Sequence, residues 1–301
     1  MGAISSLFGY ILNALYNLFN NYGIAIIIFS ILLRIILIPI TIKQQKTMKK
    51  TTKMQQEMNS ISEKYKNDPE KLNQETIELY KRENMSPFSG CLSAILQLVI
   101  ILAVFWLVSQ PLTYMKKVQN SELFNEYKQK IEEQTDTKST YKEIAIIDKV
   151  ESDYQEILNN LNDENVENRE ELENRKNQLE ELRINMEFLG LDLSKVPTQS
   201  LNDWKVYVIP VLYVITSFIS IRLTTKTQNS KNDNEVKSAE AESMEQMNKS
   251  MSYMMPIMSI SIAAIAPLGL ALYWLVSNIL MIFERLIINK FMNSKEGQED
   301  A

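Results

Sequence analysis

Between Gly23 and Ile42 the chain runs Gly-Ile-Ala-Ile-Ile-Ile-Phe-Ser-Ile-Leu-Leu-Arg-Ile-Ile-Leu-Ile-Pro-Ile-Thr-Ile, an apolar stretch carrying a single charge, Arg34. At 1.5 Å per residue such a stretch is long enough to cross the ~30 Å hydrocarbon core of a bilayer. A fixed cation at that depth costs about 2.5–3.5 kcal/mol on insertion scales, and it marks a functional position until something else accounts for it. Whatever fold the chain adopts must offset that cost.

The rest of the composition agrees with a membrane protein. Mean hydropathy is only -0.17 although 45% of the residues are hydrophobic. The average conceals apolar blocks of membrane length separated by strongly charged ones, unlike the period-2 or period-3.6 dispersal of a soluble domain. Apolar runs lie at about 23–42, 90–112, 205–223, 253–267 and 269–289. They predict an all-α, polytopic protein with five transmembrane helices. Ala266-Pro267-Leu268-Gly269 is a turn signal that makes the last two a tight hairpin. The resulting segments are 1–22, an interfacial amphipathic helix; 23–42, the first span; 43–89, a cytoplasmic helical hairpin; 90–115, the second span; 116–203, an extracytoplasmic acidic insertion; 204–223, the third span; 224–250, a cytoplasmic linker; 251–290, the fourth and fifth spans; and 291–301, a cytoplasmic tail.

Within the first segment, residues 1–33 carry no side-chain charge, so the basic region of a secretory signal is missing. Leu7, Phe8, Ile11, Leu12, Leu15 and Phe19 fall on one side of a helix over 3–20. Ser5, Ser6, Asn13, Asn17 and Asn20 fall on the other. The helix is expected to lie in the interface and to end near Gly23.

Basic residues set the orientation. Lys43, Lys46, Lys49, Lys50 and Lys53 follow the first span; Arg222 and Lys226 follow the third; Arg285 and Lys290 close the fifth. Basic loops stay cytoplasmic, which places the N-terminus outside and the C-terminus in the cytosol. Residues 116–203 then lie outside, and their 21 acidic and 12 basic side chains, a net of -9, agree with that side.

Two polar blocks have a structure to predict. In 43–85, Met54, Met58, Ile61 and Tyr65 form one apolar stripe, Asp68 suits an N-cap and Pro69 a first helical position. Thin stripes predict a loosely packed, mobile hairpin that receives a client at the membrane surface, or else a solvated connector. In 116–188, Leu172, Leu179 and Leu182 recur near heptad spacing, suggesting a helical or coiled-coil excursion, with a turn in 159–168.

Several chemistries are excluded. There is no histidine, and the one cysteine, Cys91, lies in an apolar stretch and reads as a small buried hydrophobe. A metal site, a cofactor or a histidine-based catalytic centre is not expected, and the chain does not read as an enzyme. The short acidic tail lacks the positive charge needed to hold nucleic acid directly.

Arg34 is expected to find no intramembrane Asp or Glu as a partner, which leaves water and a transient guest. A wet cavity open to the cytosol is predicted, lined by Gln97, Thr216, Ser217, Ser277 and Asn278, with Trp274 offering an indole donor. Such residues equally serve as interhelical glue. The guest is either a carboxylate on a polypeptide moving outward or a small anion, so a small-anion transporter or channel stands as the alternative. A purely scaffolding protein is a third reading.

The residues also resemble a known family. Asn21-Tyr22-Gly23-Ile24-Ala25, Arg34 and Pro39-Ile40-Thr41-Ile42-Lys43-Gln44 are similar to the first core span of the YidC/Oxa/Alb membrane protein insertases, Gram-positive type. So are Met54-Gln55, Lys64-Tyr65-Lys66 and Leu79-Tyr80-Lys81 in the hairpin, Pro87-Phe88-Ser89-Gly90-Cys91-Leu92 with Gln97, and Phe188-Leu189-Gly190-Leu191-Asp192-Leu193. Met254-Met255-Pro256, Leu268-Gly269-Leu270-Ala271-Leu272-Tyr273-Trp274 and Ser277-Asn278 complete the likeness, which covers nearly everything except about 118–185.

The resemblance implies an insertase and chaperone of the bacterial plasma membrane. Its hydrophilic groove would face the cytosol, attract acidic residues of nascent membrane proteins to Arg34 and release their apolar segments sideways into lipid. Met54, Met58, Ile61 and Tyr65 would take part in early capture. The implied partners are nascent membrane proteins and the bilayer, with the Sec translocon and the ribosome as further candidates.

Overall fold

A computed structural model describes residues 2–84, 89–134, 141–163, 168–229 and 261–299. The described residues are predominantly helical, with one pair of two-residue strands and short connecting turns, as an all-α polytopic protein requires. In chain order the elements are α1 (Gly2–Phe19), α2 (Tyr22–Lys64), α3 (Pro69–Arg82), α4 (Ser89–Ser109), a π-helical turn (Leu112–Lys116), α5 (Glu122–Gln134), α6 (Lys142–Leu161), α7 (Arg169–Leu179), β1 (Glu187–Phe188), β2 (Leu191–Asp192), two 3-10 turns (Pro197–Gln199 and Trp204–Tyr207), α8 (Val208–Asn229) and α9 (Leu268–Glu299). Among the described residues, three helices are long and apolar enough to cross a membrane: Tyr22–Thr47, Trp204–Leu223 and Leu268–Ile288. A shorter apolar helix covers Ile95–Ser109 within the second predicted span. Most of the fourth predicted span and of the 224–250 linker lie outside the described residues. The chain forms two compact units, one of 1–32, 100–213 and 261–277, the other of 33–99, 214–260 and 278–301.

In the first unit, α1 ends earlier than its sequence suggests. The break is at Asn20, which takes φ 48°, a left-handed conformation that asparagine tolerates better than most residues. Gly23 therefore belongs to α2, where a Cβ would meet the Phe188 ring at 2.5 Å. The most buried side of α1 is Ser5, Gly9, Leu12 and Tyr16, which shares Leu12 with the apolar face read from the sequence but is otherwise rotated from it toward small and polar residues. Ser5 donates to the Ala103 carbonyl at 2.9 Å. A Cβ on Gly9 would come within 1.9 Å of the Tyr114 carbonyl oxygen. Small residues let the helix backbone approach its neighbours closely, while Leu7, Tyr10 and Leu18 remain exposed.

A connecting segment, 183–196, satisfies the helix starts of this unit. The first N–H groups of a helix have no partner within it. Here Tyr22 N–H donates to the Asn185 carbonyl at 3.0 Å, and Leu268 and Gly269 N–H donate to the Lys195 and Leu193 carbonyls, each at 2.9 Å. Asn21 caps α2 through its side chain, accepting from Ile24 N–H at 3.0 Å and donating to the Glu187 carbonyl at 2.6 Å. The β1–β2 turn uses left-handed backbone at Leu189 and Gly190, φ 53° and 77°. Residues 183–196 thus bind the starts of two spans, α2 and α9.

The acidic insertion is a set of short packed helices rather than a long coiled coil. α6 packs on both α5 and α7. Tyr127, Ile144, Ile147, Val150, Leu179 and Leu182 are buried, while Leu172 is only half-buried. Leu182 lies past the end of α7, so the near-heptad leucines do not share one helix. The predicted break in 159–168 falls where α6 ends at Leu161. Glu143 in α6 is buried and accepts from Thr113 N–H at 3.0 Å and from the Thr113 hydroxyl, which ties the insertion to the turn beyond α4.

In the second unit, the C-terminal part of α2 passes through Pro39 without a break and becomes the first arm of a helical hairpin with α3. Proline removes the bond to the Ile35 carbonyl, which transmembrane helices tolerate locally. Over the whole of α2, Tyr22, Ala25, Ile26, Phe29 and Leu33 are buried at helical spacing, while Ile31, Ile35, Ile36 and Ile38 are exposed, as suits a lipid-facing side. The second arm, α3, starts as its sequence predicts. Asp68 is the N-cap, accepting from Lys71 N–H at 3.1 Å, and Pro69 opens the helix.

Two outcomes follow. Replacing Gly9 by alanine forces α1 off the Tyr114 carbonyl, an overpacking cost of about 1–3 kcal/mol. The thermal midpoint of the full chain in detergent should fall, whereas Gly2→Ala, whose Cβ would sit at an ordinary 3.9 Å from Tyr114, should not change it. The second outcome concerns pH. Burial pushes the Glu143 carboxyl above its ordinary value, against the opposing hydrogen bonds from Thr113 and Leu112. A carboxyl raised in the native state binds more protons there than in the unfolded chain, so its contribution to stability falls as pH rises between the ordinary and the raised value. Thermal midpoints measured across that window should decline with pH, and Glu143→Gln should flatten the decline; an unchanged slope assigns it to another group.

Candidate functional site: Arg34 and its polar neighbours

Arg34 lies in the second unit, on the half-buried side of α2. Its Nη1 sits 3.5 Å from the Glu284 Oε2, with the two side chains 19% and 10% exposed. This corrects the expectation that no intramembrane acid pairs with Arg34. Glu284 lies inside the fifth apolar run, 269–289, near its basic end, where neighbouring Ile and Leu residues keep the mean hydropathy high enough to mask one carboxylate.

The pair neutralises Arg34 more than it stabilises the fold. Two unit charges at this range attract by roughly 5 kcal/mol at an effective dielectric near ~20. Removing the two ions from water costs several kcal/mol each, so gain and loss nearly cancel. The bond is also incomplete. Charge-assisted N–H···O bonds settle near 2.7–2.9 Å, and the second carboxylate oxygen, Glu284 Oε1, is buried with no hydrogen-bond partner. Arg285, the next residue, is within electrostatic range of both Arg34 and Glu284.

A second polar group forms between α8 and the same part of α9. The Asn278 side-chain amide donates to Ser217 Oγ at 3.0 Å and to Thr216 Oγ1 at 3.3 Å. Asn278 is buried, as is Ser220, one turn beyond Thr216 on α8. The structure therefore joins three of the sequence-predicted lining residues, Thr216, Ser217 and Asn278. Seven residues separate Asn278 from Arg285, about two turns, which keeps both on one stripe of α9.

The other predicted residues stand differently. Gln97 is exposed on α4, and among the described residues no hydrogen bond joins it to Arg34 or Asn278. Trp274 and Ser277 belong to the first unit, where Trp274 lies 6.1 Å from Tyr213, ring centroid to ring centroid. Glu284, Arg285 and Ser220 were not expected as lining. Arg285 entered the sequence reading only as a marker of orientation, and the adjacent Glu284-Arg285 charges inside an apolar run were the available signal.

The proposed capture stripe faces inward. Met54 is 5% exposed, and Met58, Ile61 and Tyr65 are half-buried. On α3, Leu79 is 2% exposed. Tyr65 donates to Glu75 at 3.2 Å. Lys50 pairs with Glu83, and Arg82 pairs with Glu57, linking the two arms. Such exposed ion pairs contribute little energy. The stripe is therefore the hairpin's own seam. Among the described residues, no cluster of metal-ligating side chains occurs.

Comparison with known proteins places the chain in a family. The family model described as 60Kd inner membrane protein matches residues 14–296. A protein of Fusobacterium nucleatum named Membrane protein insertase YidC is 45% identical over 96 residues, 32% of this chain and 47% of its own length. One of the same name from Treponema denticola is 25% identical over 284 residues, 94% of this chain and 37% of the relative. Membrane protein insertase YidC 2 of Listeria innocua is 25% identical over 287 residues, 93% of this chain and 68% of the relative. The chain thus spans about half or less of the first two relatives and two thirds of the third. The relatives are bacterial, and with three membrane-length helices and a family match running over nearly its whole length, this chain is a bacterial membrane protein that belongs to the 60Kd inner membrane protein family.

Proposed function

We propose that this chain inserts nascent membrane proteins into the bilayer of the bacterial plasma membrane, without nucleotide and without covalent chemistry. The single observation that supports the reading best is an arginine, Arg34, held beside Glu284 within an apolar span of a chain whose family relatives are named insertases. A guanidinium in that place attracts an acidic residue in the part of a client that must move outward. The client's apolar segment then leaves the protein sideways, driven by about 25 cal/mol for each Å² of apolar surface removed from water.

The remaining parts follow from the same reading. Thr216, Ser217 and Asn278 give the polar path hydrogen-bonding groups that receive a passing backbone, with Gln97, Trp274 and Ser277 as further lining. The hairpin opens its Met54–Tyr65 seam to meet a client at the membrane surface, and its weak ion pairs make that opening inexpensive. The chain crosses the membrane five times, with the N-terminus outside and the C-terminus in the cytosol. It works alone or beside the Sec translocon, and receives clients from the ribosome.

The test uses the full chain in lipid vesicles and single-span clients with an acidic outer segment. Arg34→Ala should reduce insertion of such clients about tenfold or more, the effect of losing roughly 1.4 kcal/mol of attraction. Neutralising the client's acid should reduce it similarly, and the two changes together should do no more than either alone. Full insertion of every acidic client by Arg34→Ala would remove the charge attraction, and failure of the unaltered chain to insert any client would remove the insertase reading itself.

A further inference from the structure

Glu284 raises a question that charge attraction by Arg34 does not answer: why the span that faces the arginine carries a carboxylate at all. A buried acid is costly in a membrane helix and persists where it has a function. As a permanent structural partner it is poorly made. It reaches Arg34 with one oxygen at 3.5 Å, and leaves the other buried without a hydrogen bond. A well-built pair would be shorter and would use both oxygens, as bidentate arginine–carboxylate pairs do.

We propose that Glu284 is a specificity-determining residue, a resident carboxylate that occupies Arg34 between clients and sets how acidic a client must be to displace it. The inference rests on the insertase reading above. Three observations carry it. The Arg34–Glu284 contact has the chemistry of the contact a client's Asp or Glu would make, so the two compete for one guanidinium. The contact is long and one-sided, so a client carboxylate with better geometry gains by exchange. Glu284 also has a second cation beside it, Arg285, so that after exchange it is not left as an isolated buried charge, the state that makes breaking most buried pairs prohibitive.

The consequence is a threshold. A client segment without an acid cannot remove Glu284 from Arg34 and gains nothing from the arginine. A single carboxylate competes one against one. Two or three carboxylates raise the effective concentration of competitor near Arg34 and take the site more fully. Glu284 thereby ties the benefit of Arg34 to the acidity of the segment being moved.

The experiment measures insertion by the full chain in vesicles for a series of single-span clients that differ only in having zero, one, two or three acidic residues in the outer segment. Glu284→Gln keeps the size of the side chain and removes its charge. It should raise insertion of the one-acid client about three- to tenfold, raise that of the three-acid client much less, and leave the acid-free client unchanged. In the Arg34→Gln background the same substitution should have no acid-dependent effect. Glu284→Asp, which retains the charge, should retain a dependence on acid number.

An equal loss for all clients in Glu284→Gln would make Glu284 a structural partner and overturn the proposal. So would an equal gain for all clients, or an acid-dependent gain that survives without Arg34. If the unaltered chain inserts no client of the series, the insertase reading falls first. Should Glu284→Gln fail to fold, the proposal is read from Glu284→Asp against the unaltered chain, where loss of all dependence on acid number counts against it.

Discussion

A charge inside a bilayer cannot be left uncompensated, and the lower part of this protein is organised by that constraint. Arg34 is half-buried on a helix whose exposed positions are Ile31, Ile35, Ile36 and Ile38, side chains that suit lipid. Its guanidinium meets Glu284 of α9, with Arg285 within electrostatic range. The same stretch of α9 carries Asn278, whose amide is bound by Thr216 and Ser217 of α8. One stretch of α9, about two turns long, thus carries the groups that meet the polar side chains of α2 and α8. An apolar α9 would remove the carboxylate that Arg34 meets, and an apolar α2 would remove the guanidinium that Glu284 meets.

The other unit answers a different form of the same problem. Backbone N–H groups at the start of a span are as intolerant of an apolar surrounding as a side-chain charge. The chain between α7 and α8 satisfies them. Its carbonyls at Asn185, Leu193 and Lys195 accept from the first residues of α2 and α9, and its Phe188 ring fills the space that Gly23 leaves open. Close packing at Ser5 and Gly9 then brings α1 against the ends of its neighbours. Rigidity is concentrated in this unit, whereas the hairpin is joined by a few exposed ion pairs and a narrow apolar seam.

Much of this was legible in the residues. Apolar runs placed three full spans and the short second one, and Asp68-Pro69 located the start of α3. Thr216, Ser217 and Asn278 were recognised as polar groups on apolar helices, and they meet. What was not legible depended on partners rather than on periodicity. The hydrophobic face of α1 is easily read, but which face meets protein was decided by Ser5 and Gly9, whose value is their small size. The near-heptad leucines of the insertion signalled burial correctly, yet Leu182 reaches its buried place after α7 has ended. Glu284 is legible as a carboxylate inside the 269–289 run; what the sequence does not show is that it faces Arg34, 250 residues away.

Glu284 changes what the arginine means. With no acid nearby, Arg34 would hold a permanent attraction for any passing anion, and a selective insertase would be hard to distinguish from an anion path. With Glu284 in contact, the attraction is conditional, because a guest gains only the difference between its own carboxylate and the resident one. Coulomb attraction and desolvation nearly cancel for the resident pair, so that difference is small and within reach of a flexible polypeptide segment. A small free anion faces the same competition without a tether to raise its local concentration, whereas an acid on a segment already held at the membrane has one. The carboxylate therefore favours a tethered guest over a free one, and it does so with charges that belong to the protein itself.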